Sequence, residues 1–150
     1  MIERQAMGVA IVGALSALLL GIIVAADLIG GILYQSELTY WAVRRVATLA
    51  YVLAISLLAY AGWQVAKGRG FGDVMPRLLS AAGLLLAAGA TFETFGVAFV
   101  MRAFGVGDFR GIAHFDPTYV TLGAVGLLLW LLGRLMRQAI AMARELEEFL

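Results

Sequence analysis

The chain has 150 residues and a mass of 16.0 kDa; 63% of them are apolar, 14% are charged, and the mean hydropathy is +0.94. Soluble domains carry about 45–50% apolar and about 25% charged residues, so this composition excludes a soluble globular enzyme and a disordered tail. A formal charge of +1 leaves no basic footprint for DNA or RNA, and the lack of cysteine excludes disulfides, thiol redox chemistry, iron–sulfur clusters and thiolate zinc sites.

Uncharged runs cover 5–26, 46–66, 78–92 and 117–133. An apolar run of about 18 or more residues reads as a membrane span, since a helix rises about 1.5 Å per residue through about 30 Å of hydrocarbon. Two runs qualify outright, and the other two qualify once one acid or a short flank is admitted. The predicted spans are about 6–34, 43–66, 76–103 and 117–133, the last continuing as a helical extension to 150. The expected fold is an all-α integral membrane protein, a four-helix transmembrane bundle in a single domain over 1–150.

Arg4 ahead of an apolar run looks like a secretion signal, but the run from Ala6 to Ala26 exceeds the 7–15 residues usual for a signal core. It reads as a retained first span. Gly30 and Gly31 weaken its far end, and Tyr34, Tyr40 and Trp41 suit an interfacial aromatic belt. The segment Lys67-Gly68-Arg69-Gly70-Phe71-Gly72-Asp73 is the strongest breaker. It resembles no phosphate loop, because the terminal Gly-Lys-[Ser/Thr] is missing. Asp116-Pro117 opens the last span, with the acid as N-cap and the proline at the first helical position.

Basic residues near span ends set orientation. Arg4, Lys67, Arg69, Arg77, Arg134, Arg137 and Arg144 collect on one side, against Arg44, Arg45, Arg102 and Arg110 on the other. The N- and C-termini are therefore expected in the cytoplasm.

Lipid offers no hydrophobic drive between spans, so close packing needs small side chains. Gly13, Ala17, Gly21 and Ala25 form a stripe at i, i+4 spacing on the first span. Ala82, Gly89 and Gly96 recur at sevens on the third, and the fourth carries Gly126 and Gly133. These are expected helix-packing positions within the chain, with a homo-oligomer seam as the other use of such a stripe.

Asp27 and Glu93 are the intramembrane acids. Glu93 lies 16 residues beyond Arg77, about 24 Å along a helix, which places both acids in the outer third of the membrane. It sits between Gly89 and Gly96, so it should face other helices rather than lipid. A charged acid at mid-membrane costs about 2.5–3.5 kcal/mol, so a partner or a proton is expected. Arg44, Arg45 and Arg102 are the candidate counter-charges, and Thr48, Tyr51, Thr91, Thr94 and Thr121 the candidate hydrogen-bond partners. The two acids read either as structural ion-pair or hydrogen-bonded groups, or as a proton- or cation-responsive site. A continuous wet path is not expected in one chain, because the inner halves of the spans offer little beyond Ser16, Ser56, Tyr60 and Ser80. Asp108, His114 and Asp116 share one loop without a ligand spacing, so no metal and no cofactor are expected. The tail after Gly133 alternates basic and apolar residues, a pattern of a solvated helix end or of a surface for anionic lipid or a cytoplasmic partner.

The segment Gly68-Arg69-Gly70-Phe71-Gly72-Asp73 followed by Arg77-Leu78-Leu79-Ser80 resembles the junction of a bacterial family of small four-span membrane proteins, domain of unknown function 2975. Asp116-Pro117, then Gly133-Arg134-Leu135-Met136-Arg137-Gln138-Ala139, and the tail Arg144-Glu145-Leu146-Glu147-Glu148 are similar to that family too. Residues 45–150 carry the likeness. It implies a multi-pass protein of the bacterial inner (plasma) membrane, with some relatives working alongside small helix-turn-helix regulators, and it assigns no catalytic residue. The expected protein is non-enzymatic, with the lipid bilayer, a second copy or a membrane-complex subunit as partner. The alternative is a small oligomeric proton-coupled transporter or channel using Glu93 and Asp27.

Overall fold

The computed structural model describes the backbone of residues 2–34, 38–67, 74–105, 113 and 115–148; the side chains of 2–6, 9–10, 27–28, 31–34 and 38–41 are outside the described residues. Every regular element among them is helical: α1 (Ile2–Tyr34), α2 (Leu38–Ala66), α3 (Val74–Thr91), a π-helical turn (Phe92–Gly96), α4 (Val97–Ala103) and α5 (Pro117–Glu148). α3, the π turn and α4 run on as one rod, so the chain forms four long helices. Three of them are long and apolar enough to cross a membrane, over Ala42–Ala66, Val74–Ala103 and Pro117–Glu147. The described apolar part of α1 is the shorter stretch Ile11–Ala26.

Local chemistry explains the helix ends. Pro76 falls in the first turn of α3, where a missing N–H costs nothing. At α5 the Asp116 carboxylate accepts the Thr118 N–H at 2.8 Å, its carbonyl accepts from Tyr119 and Val120, and Pro117 takes the first helical position. Such a cap stabilises a helix by about 1 kcal/mol. Gly105, at φ +65°, stops α4, a left-handed conformation that favours glycine.

The packing order is a row. α1 packs on α2, α2 on α3 and the π turn, and α3 on α5, while α1 makes no close backbone approach to α3 or α5 among the described residues. The expected four-helix bundle is thus met as four helices but not as a closed ring, in which each helix would touch two neighbours. The physical reason is that small residues let two helix backbones approach, so the seams that carry them close tightly.

The tightest seam joins α3 and α5. A Cβ placed on Gly83 would lie 2.5 Å from both the Gly126 carbonyl oxygen and the Trp130 nitrogen, and one on Gly126 would lie 2.7 Å from the Gly83 oxygen. Gly133 sits equally close to the Pro76 carbonyl and to Ser80. The buried Ser80 hydroxyl also accepts a 3.1 Å hydrogen bond from Arg137, which ties the two helices beyond the apolar run. Between α2 and α3 the seam is alanine on leucine: Ala54, Ala82 and Leu86 form the core, with Tyr51, Leu58 and Leu122 against it. Ala47, Ala54 and Ala61, spaced by sevens, are the buried stripe of α2.

Large apolar side chains cover the outside, among them Leu15, Leu18 and Ile22 on α1 and Leu127, Leu128 and Leu131 on α5. The accessible surface is 10202 Å². A compact soluble monomer of this mass exposes about 7,400 Å². The excess is the surface of an open row of helices.

Candidate functional site

Glu93 is the acid that the fold encloses. It occupies the π turn, is 9% exposed, and its neighbour Thr94 is 6% exposed. The turn arises where the Val97 N–H reaches the Phe92 carbonyl, five residues back rather than four. Two threonine hydroxyls accompany the change: Thr91 donates to the Ala87 carbonyl and Thr94 to the Ala90 carbonyl, each at 2.8 Å. Hydroxyls bonded back in this way bend helices, and π turns recur at functional sites.

The extra residue rotates everything after it. Gly89 and Gly96 therefore do not share one contact. A Cβ on Gly89 would lie 2.6 Å from the Tyr51 ring on α2, whereas one on Gly96 would lie 2.5 Å from the ring of Phe92 in its own turn. Glu93 is enclosed because Tyr51 covers the preceding turn, not because two glycines line one face.

Two phenols and a guanidinium complete the cluster. Tyr51 from α2 and Tyr119 from α5 both lie within the electrostatic reach of Glu93, and Arg44 from α2 donates a side-chain hydrogen bond to Tyr119. The Tyr51 hydroxyl is buried and has no hydrogen-bond partner among the described residues. Asp116, the cap of α5, also acts electrostatically on Tyr119. The arrangement can hold or release one proton, or stay charged and bind the ends of α2, the π turn and α5 together.

Arg45 is half-buried, and Arg102 is exposed in the last turn of α4. Thr121 bonds its own helix at the Pro117 carbonyl, and Ser56 does the same at Val52. Of the α1 stripe, Gly13 meets Ala59 of α2, Ala17 lines a groove beside it, Gly21 faces open space and Ala25 is exposed. The Asp27 side chain is outside the described residues. Its helix makes no close backbone approach to the π turn among the described residues. Asp108, Arg110 and His114 also lie outside the described residues. No group of three metal-ligating side chains occurs among those described.

Tyr119 is the member that sequence reasoning missed. Its only signal was its place in the first turn after Asp116-Pro117, at the same end of the chain's helices as Glu93. No family model, no curated protein and no solved structure matches this chain.

Proposed function

We propose that the chain is a four-span protein of the bacterial plasma membrane, with both termini cytoplasmic, that works without catalysis by associating with other proteins or with lipid. The observation that carries this reading is the open row: α1 is held along one side only, and the apolar side chains of α1 and α5 are left for something else to cover. The chain's role in this reading is regulatory or accessory. Mild crosslinking of the chain in its own membrane, followed by detergent extraction, should give a defined higher-mass species containing either a second copy or one other subunit. A lone monomer at every crosslinker concentration would overturn association with other proteins and leave lipid alone as the partner.

Orientation has a separate test. A reporter fused after Leu150 should be active in the cytoplasm, and one inserted after Gly105 should be active outside. The reverse pattern would invert the placement of Glu93 relative to the two aqueous phases.

A second reading is favoured by one observation, the burial of Glu93 on a π turn between two phenols. In that reading an oligomer of the chain moves protons or cations, with Glu93 as the coupling acid.

A further inference from the structure

The α1–α2 hairpin encloses a groove away from the acid cluster. Its volume is ≈ 560 Å³, and Met7, Ile11, Ala14, Ser56, Ala59 and Trp63 are among its walls. Small-molecule sites span about 300–1,000 Å³. Its walls are mostly apolar, and two of its polar groups are engaged: the Ser56 hydroxyl donates to the Val52 carbonyl, and the Tyr60 hydroxyl accepts from the Gln64 amide. The occupant is therefore apolar along its length.

Length and charge narrow the choice. From Met7 to Ala17 the groove follows α1 for about 15 Å. That is half of the hydrocarbon core of about 30 Å, the depth of one leaflet. Gly13 packs on Ala59, which sets the antiparallel register of the hairpin. Arg4 stands nine residues before Gly13 and Lys67 eight after Ala59, so both basic positions fall at the same end of the groove, with Met7 and Trp63. There the Lys67 ammonium lies 3.8 Å from the centroid of the Trp63 ring. An apolar slot one leaflet deep, with the Lys67 ammonium and an indole at its mouth and the Arg4 position at the same end of the hairpin, has the chemistry of an acyl chain below an anionic headgroup.

We propose that the α1–α2 groove binds an acidic glycerophospholipid, with one acyl chain along Met7, Ile11 and Ala14 and the phosphate at the level of Lys67 and Arg4. This rests on the membrane-association reading and names a ligand for it. A neutral lipid fills the slot but brings no net negative charge to Lys67, and a helix from a second copy fills it without a phosphate.

The test uses the full chain with Trp63 as its only tryptophan (Trp41→Phe and Trp130→Phe), reconstituted in vesicles containing brominated phosphatidylglycerol or brominated phosphatidylcholine. Quenching of Trp63 should need less of the acidic lipid. Lys67→Gln should reduce that preference about fivefold, and Arg4→Gln should reduce it again by a similar factor. Added salt should weaken the preference, and Ala14→Leu should fill the slot and lower quenching by both lipids. A chain keeping only Trp130 reports lipid around α5. If Trp130 is quenched while Trp63 shows no lipid preference, or is shielded from both lipids as a second copy would shield it, the groove proposal is overturned and the membrane reading stands. If neither tryptophan is quenched, both fall.

Discussion

Gly83→Ala and Gly126→Ala should each destabilise the protein by about 1–3 kcal/mol, the usual cost of forcing a methyl group into a filled contact. The sign is opposite to that at an open helical glycine, where Ala gains about 1 kcal/mol of helix propensity. At Gly83 the new Cβ would meet backbone atoms of Gly126 and Trp130 at 2.5 Å, and backbone atoms cannot rotate away as a side chain does. The α3 and α5 rods must move apart, which also strains the Arg137–Ser80 hydrogen bond. The double substitution should cost less than the sum of the two, because the first already separates the helices that the second would separate. Gly21→Ala is the control: nothing lies within 4 Å of its Cβ position, so it should be neutral or mildly stabilising. Thermal midpoints of the detergent-extracted variants decide the matter. Equal effects at Gly21 and Gly83 would mean that the α3–α5 seam is not the tight one.

Glu93→Ala should also destabilise the protein, by about 1–3 kcal/mol, the cost of leaving a buried polar group without the partner it is arranged around. Tyr51 and Tyr119 would lose the carboxyl group that acts on both of them, while Tyr51 keeps a buried hydroxyl. Glu93→Gln retains the shape and a hydrogen-bonding end, and should cost less than Glu93→Ala. This pair also separates the two functional readings. In the association reading, Glu93→Gln lowers the thermal midpoint and leaves proton or cation flux into reconstituted vesicles unaltered. Wild-type flux that disappears in Glu93→Gln at an unchanged midpoint would make Glu93 a coupling acid and displace that reading.

The predictions draw on different layers of information. The long apolar runs, the start of α5 at Asp116-Pro117 and the isolation of Glu93 within one run are all readable in the chain, because hydropathy and capping act over a few consecutive residues. The candidate site was legible in outline: Glu93 and Tyr51 stand out as polar groups among apolar neighbours. Tyr119 did not, since its relation to Glu93 exists only once α5 lies beside the π turn.

By itself, then, the sequence determined that the chain is helical and apolar, and where its helices begin and break. Tertiary structure decided three further things. It set the row α1–α2–α3–α5 in place of a closed ring, because an apolar face read from one helix does not name its partner. It chose Gly83 over Gly21 as the site of close approach, because spacing along one helix says nothing about what stands opposite. It also placed the π turn at Phe92–Gly96, where one added residue turns the following side chains away from the face that regular periodicity assigns them.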